Sequence, residues 1–258
     1  MAFGKNWRIM RYKLTIEYKG SNFIGWQKQI DNPNSIQQTI EAVIFKLTGE
    51  NVDLNGSGRT DAGVHALAQI AHFDLEKPRD SFKMRAGLNH YLCQNDITSD
   101  IAILDCVQVD KDFHSRFDAK MRHYQYQIIN RHPHLTLYRN LAWQINYPLD
   151  LQEMILASKY LLGKHDFSSF RDSECQAKSA VKTLDKIEIF QEGGLIKLNF
   201  SAASFLHHQV RNMVGTLAFV GGGKIKADDV KLILESKDRQ KSGPNAPAGG
   251  LYFLGVDY

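Results

Sequence analysis

Cysteine is scarce in this chain, with three among 258 residues. Cys93, Cys106 and Cys175 are odd in number, scattered, and not spaced as metal ligands. That pattern argues against a disulfide framework or a zinc site and fits a reducing cytoplasm. Long apolar runs are missing too: none approaches the ~20 residues that span a bilayer, so no membrane partner is expected. The segment from Met1 to Arg11 has basic residues but no apolar core of the kind a secretory signal needs. A phosphate-binding Gly-Lys-Ser/Thr loop is absent. Gly56-x-Gly58-x-x-Asp61 opens like a dinucleotide fingerprint, but Asp61 stands where the third glycine belongs. No Gly-x-Ser-x-Gly elbow occurs. His207 and His208 lack an i, i+4 partner, and His65 and His72 lack matching cysteines. These histidines read as packing or hydrogen-bonding residues, and no metal is expected.

What remains is the make-up of an ordinary globular protein, 43% hydrophobic and 23% charged, with a formal charge of +4. The length suits one large domain or two small ones. The charge is unevenly placed. Lys111, Arg116, Lys120, Arg122, Arg131 and Arg139 face only Asp112 and Asp118 across the stretch ending at Asn140. Four histidines and Phe113, Phe117, Tyr124, Tyr126 and Tyr138 are interleaved there. Cations mixed with aromatics suit phosphates and stacked bases, although a plain basic surface has the same composition.

Periodicity predicts a strand from about Arg8 to Tyr18, with Leu14, Ile16 and Tyr18 on one face. A helix is expected at Ile36–Thr48, opened by a Ser35/Gln38 capping box and ended by Gly49. Val52–Ser57 and Ala68–Asp74 read as strands around a glycine-rich turn. Asp80 caps a helix to about Tyr91, and Ile101–Val109 alternates as a strand. The order is β-α-β-β-α-β, and the second half repeats it. Lys120–Asn130 is a strand with Arg122, Tyr124, Tyr126 and Ile128 on one face. Asp150 and Glu153 open a helix carrying Leu151, Met154, Ile155, Leu161 and Leu162, closed by Gly163. Val181–Phe190 and Leu195–Ala202 flank a Gly193-Gly194 turn. A helix from about Phe205 ends at Gly221–Gly223, whose glycines suit a terminator or a phosphate loop. A short helix near Asp228–Glu235 precedes a last strand, Leu251–Asp257. The expected fold is α+β: two tandem ferredoxin-like β-α-β-β-α-β units, residues 8–112 and 113–258. They would form a largely antiparallel sheet with helices on one face and a cleft at the junction.

The candidate chemistry lies in Gly56-Ser57-Gly58-Arg59-Thr60-Asp61-Ala62-Gly63-Val64-His65. A carboxylate on so tight a turn is held outward, near backbone amides and the Arg59 guanidinium. Such neighbours favour the ionised form and suit a nucleophile or charge stabiliser. A solvated turn would contain the same residues. Arg211 sits inside the apolar pattern Val210, Met213, Val214 and Leu217, where an arginine snorkels or meets a carboxylate.

Gly58-Arg59-Thr60-Asp61-Ala62-Gly63-Val64-His65 resembles the signature of the TruA family of tRNA pseudouridine synthases. The resemblance covers nearly the whole chain. It extends to Glu17-Tyr18 with Gly20 and Phe23-x-Gly25-Trp26-Gln27, to Asp112–Phe117 and Arg122–Tyr126, and to Asp166–Arg171 and His207–Gly215. Gly250-Leu251-Tyr252 with Val256-Asp257-Tyr258 matches the end. One departure is Asn89-His90-Tyr91-Leu92-Cys93-Gln94, where relatives commonly have an Asn-x-x-Leu-Pro turn. The resemblance implies that Asp61 is catalytic, that Tyr124 packs on the target uracil, and that Arg59 helps hold the flipped nucleotide. It implies that Arg211 is the basic residue paired with the aspartate. The implied reaction isomerises uridines 38, 39 and 40 in the tRNA anticodon arm, with a homodimer supplying the basic surface. An isomerisation without redox change or hydrolysis requires no cofactor. A non-catalytic RNA-binding protein or chaperone of the same fold is the alternative. An aspartyl phosphotransferase would want further carboxylates near Asp61, and none is evident.

Overall fold

The computed structural model describes residues 9–258; Arg8, where the first strand and first half are expected to start, and the basic residues before it lie outside. The chain divides into two compact units. One runs to Lys120 and is completed by Phe253–Tyr258; the other spans Met121–Tyr252.

In the first unit β1 (Met10–Tyr18) alternates strictly, burying Tyr12, Leu14, Ile16 and Tyr18. Helix α1 (Ile36–Thr48) has the expected ends: Ser35 accepts from the Gln38 amide and Gly49 adopts φ 78. Ile36, Ile40, Val43 and Ile44 face the core, each stabilising by about 2 kcal/mol when fully buried. The two strands around the glycine-rich turn are unequal. β2 is only Asn55–Gly56, whereas β3 is His65–Leu75 and starts earlier than its alternation predicts. The cause is nonlocal: β1 pairs antiparallel with β3 as far as Tyr18 opposite Ala66. Helix α2 (Ser81–Leu92) is capped by Asp80, and β4 (Ile101–Val109) pairs with the other edge of β1. α1 packs on α2 and α2 on β4. Cys93 closes the end of α2, giving its N–H to the Asn89 carbonyl at 3.0 Å.

The second unit begins with β5 (Met121–Asn130), joined in parallel by β6 (Trp143–Ile145), a strand that periodicity does not reveal. Helix α3 (Leu151–Ser158) is capped by Asp150 and continues as a 3-10 turn to Leu161; Leu162, expected in its apolar stripe, is exposed. The expected strand over Val181–Phe190 is two strands. After β7 (Gly163–Asp166), β8 (Val181–Leu184) pairs with β7, while β9 (Lys186–Glu192) pairs with β10 (Leu195–Ala202). β10 in turn pairs antiparallel with β5. Asp185 separates the two, its N–H held by the Ser201 carbonyl at 2.9 Å. Helix α4 (Gln209–Gly221) starts four residues later than its apolar pattern predicts, because His208 has a left-handed φ of 60. Gln209 closes that end by accepting the Leu206 amide through its side chain. α3 packs on α4, and α4 touches β5. Helix α5 (Asp229–Ser236) follows, and the last strand, β11 (Leu251–Asp257), passes from the second unit into the first. The fold is therefore mixed α+β, with helices packed on sheet. Among the described residues no helix is long and apolar enough to cross a membrane.

Candidate active site

Residues 57–64 leave β2 and turn back into β3. Asp61 opens the turn: its carbonyl accepts from the Val64 amide at 3.1 Å, and Gly63 takes φ 79 at the third position, as a type II turn requires. Asp61 also forms an isolated antiparallel bridge with Gly25, and the Trp26 amide donates to the Thr60 carbonyl at 3.0 Å. These bonds use the backbone of residues 60 and 61. The Asp61 side chain is half-buried, and Arg59 is exposed, giving Nε to the Gln27 side chain at 3.1 Å.

Buried polar groups hold both arms of the turn. Gln69, fully buried on β3, accepts from the Ser57 hydroxyl at 2.7 Å and donates to the Gly58 carbonyl at 2.9 Å. Tyr18 at the end of β1 shares a 2.7 Å hydroxyl–hydroxyl bond with Thr60. Burial pushes the Tyr18 phenol well above its ordinary value, so it serves as a neutral hydrogen-bonding group. His65 accepts the Gly20 amide through Nδ1 at 3.0 Å. Each buried bond contributes about 1 kcal/mol, and more is lost when one partner is left unsatisfied. The carboxylate thus rests on a preorganised frame rather than a mobile loop. Sequence reasoning does not single out Gln69 or Thr60 as supports; the available signal is one amide inside the apolar run from Ala66 to Ala71.

A second turn is anchored beside β2. The Ser115 hydroxyl donates to the Asn55 carbonyl at 2.6 Å, and the Ser115 amide donates to His72 Nδ1 at 3.2 Å. His72 is thus a structural hydrogen-bonding residue. Burial, reinforced by Arg11 and His114 and opposed by Asp74 and Asp118, holds it down from 6.5 to about 4. Between those values the unfolded chain binds a proton that the folded chain does not. Stability is therefore full above pH 6.5 and is lost as pH falls towards 4, by about 2 kcal/mol at pH 5 from this group. Urea unfolding at pH 8 and pH 5 checks this: His72→Gln should remove most of that difference, and an unchanged pH dependence contradicts the assignment.

Tyr124 and Arg211 belong to the second unit. Tyr124 is half-buried on β5, with Phe205 edge-on to its ring at 5.2 Å. Its strand neighbour Tyr126 is fully buried and donates to the Pro247 carbonyl at 2.7 Å. Arg211 lies in the first turn of α4 and gives Nε to the Ala246 carbonyl at 2.7 Å, so the arginine amid the apolar pattern is hydrogen-bonded within its own unit. His208, just before that helix, meets Asp172 at 2.7 Å. The Glu174 backbone amide, with His208 and His207, holds the Asp172 carboxyl below its usual range. A depression of about 800 Å³ in this unit, lined by Tyr147, Asp150, Gly222 and Lys224 among others, contains neither Tyr124 nor Arg211. The structure therefore brings Arg59 and Asp61 onto one turn of the first unit and sets Tyr124 and Arg211 on β5 and α4 of the second.

Known proteins are similar across almost all of this chain. The family described as tRNA pseudouridine synthase matches residues 14–118 and 157–258. "tRNA pseudouridine synthase A" of Ehrlichia ruminantium (strain Gardel) is 50% identical over 249 residues, covering 96% of this chain and 100% of the relative. The protein of the same name from Ehrlichia canis (strain Jake) is 51% identical with the same coverage. That from Wolbachia pipientis wMel is 47% identical over 249 residues, again 96% of this chain and 100% of the relative.

Proposed function

This chain belongs to the TruA family of tRNA pseudouridine synthases, and on that premise we propose which residues isomerise the uridine and where on the tRNA they act. The enzyme is an isomerase. In its reaction the N1–C1′ bond of uridine breaks and a C5–C1′ bond forms; C5 loses a proton and N1 gains one, so atoms and electrons balance.

In our reading Asp61 assists glycosidic cleavage as nucleophile or proton acceptor. A stacked base must first leave its stem. Tyr124 then packs against the uracil, Arg59 holds the flipped nucleotide, and Arg211 balances the aspartate's charge. The site must exclude water, since water would turn cleavage into hydrolysis. The targets are uridines 38, 39 and 40 of the anticodon arm, and the working form is a homodimer in the cytoplasm. We read the chain as two ferredoxin-like halves, 8–112 and 113–258. The β-α-β-β-α-β order of the first unit supports this, and β6, β7 and β8 count as additions to the second.

The observation that carries the reading is the Asp61 turn, whose carboxylate is mounted on a backbone fixed by buried hydrogen bonds. Electrostatic and covalent catalysis both need such preorganisation. The decisive experiment incubates the protein with unmodified tRNA and maps pseudouridine chemically. Modification confined to positions 38–40 is expected; modification elsewhere overturns the position assignment.

A further inference from the structure

The turn Asp112–Asp118 is pinned more fully than a surface loop needs. Its Phe113 amide donates to Asp110, and the His114 amide donates to the Asp118 carboxylate at 2.8 Å. The Arg116 and Phe117 amides both donate to His114 Nδ1, at 3.2 and 3.3 Å. The Asp118 amide returns to the His114 carbonyl at 3.1 Å. The Ser115 carbonyl accepts from the Tyr258 hydroxyl at 2.8 Å, and the Phe113 carbonyl accepts from Arg11 at 2.8 Å. Beneath the turn the buried His72 ring meets His114 edge-on at 4.7 Å. This scaffold presents one large apolar side chain: Phe117 is 76% exposed. One side of its ring leans on His114 at 4.2 Å, and the Arg116 guanidinium is 6.0 Å from its centroid.

We infer that Phe117 is a base-stacking platform for the substrate tRNA, seating an unpaired nucleobase outside the target uridine's own pocket. The inference rests on the tRNA-modifying reading of this chain. A ring carried on a hydrogen-bonded turn and leaning on His114 loses less conformational freedom when a base covers it than a side chain on an open loop does. The stretch is cationic on balance: Lys111, Arg116 and Lys120 are exposed, against the exposed Asp112 and an Asp118 carboxylate that is engaged by the His114 amide. Every base offers a π-face, so such a platform accepts many tRNA sequences. It also sets register. Ser115 bonds to Asn55 of β2, the strand that leads directly into the Asp61 turn, so a base held on Phe117 is held at a fixed offset from the carboxylate.

The test compares Phe117→Ala, Phe117→Leu and Phe117→Trp with the unaltered protein. Equilibrium binding of unmodified tRNA and turnover at saturating tRNA are measured for each. Phe117→Ala and Phe117→Leu should weaken binding roughly tenfold and leave saturated turnover within about twofold. Phe117→Trp should bind at least as well as the unaltered protein, and its added indole fluorescence should be quenched by tRNA. Leucine keeps most of the apolar area and removes the π-face, so full affinity in Phe117→Leu overturns the inference. A change in dimer mass with unchanged tRNA affinity also overturns it, in favour of a contact between two copies of the chain. Failure of the unaltered protein to form pseudouridine would instead strike the reading on which the inference rests, and the two failures are read from different assays.

Discussion

Asp61→Asn should lower pseudouridine formation at least about a thousandfold while tRNA affinity stays within about twofold. Asparagine matches aspartate in size and still accepts through its side-chain oxygen, but it neither attacks carbon nor takes up a proton at neutral pH. The bonds that Asp61 itself contributes to the turn come from its backbone, from Val64 to the Asp61 carbonyl and across the bridge to Gly25, and substitution leaves them in place. Single-turnover kinetics with labelled tRNA separates the chemical step from binding. Loss of affinity in step with rate would mean that Asp61 holds RNA rather than transforms it. Comparable turnover in Asp61→Asn would remove the carboxylate from the mechanism altogether. Asp61→Glu provides a graded control, because one extra methylene displaces the charge by more than the tolerance of a near-attack geometry; about a hundredfold loss is expected.

Much of the scaffold under that carboxylate was legible because its causes are local. α1 begins at Ile36 and ends at Thr48 because Ser35 and Gly49 are capping residues whose chemistry acts within one turn. β1, β4, β10 and β11 are visible as alternation or as bounded apolar runs. The errors fall where distant groups decide. β2 shrinks to Asn55–Gly56 because the Leu54 amide and carbonyl before it are taken by the Glu41 and Gln37 side chains of α1. α4 starts late because His208 takes a left-handed conformation, which no pattern of apolar residues records. The expected strand over Val181–Phe190 breaks because its two parts pair with different strands. At the site, Arg59 and Asp61 announce themselves in a short glycine-rich motif. Tyr18, Gln69 and His65 become supports only once β1, β3 and the segment after Tyr18 are folded together. Their spacing in sequence carries no trace of that meeting.

Gly25→Ala should slow the enzyme about as much as Asp61→Glu does, through position rather than chemistry. Gly25 has φ +112, a conformation that L side chains rarely adopt, and a Cβ built there would lie 2.7 Å from the Thr60 carbonyl oxygen. Both sides of that contact are committed: the Thr60 carbonyl accepts the Trp26 amide, and the carbonyl of Gly25 itself accepts the Ile36 amide at 3.1 Å. Relief therefore requires the strand segment and the Asp61 turn to move apart. Strain and overpacking together should cost about 3 kcal/mol. A displacement of ~1 Å at Asp61 costs on the order of a hundredfold in rate. The expected result is a lowered Tm and, at a temperature where the variant remains folded, kcat reduced about a hundredfold with tRNA affinity largely kept. Gly49→Ala is the matched control. Gly49 also has positive φ, at +78, but a Cβ there meets nothing within 4 Å, and the residue ends α1 away from the turn. It should lose about 1 kcal/mol of stability and no turnover. If the two variants lose activity only in proportion to stability, the contact between Gly25 and Thr60 positions nothing. If Gly25→Ala alone separates rate from stability, the opening segment from Tyr18 to Gln27 is part of the catalytic apparatus because it sets where Asp61 stands.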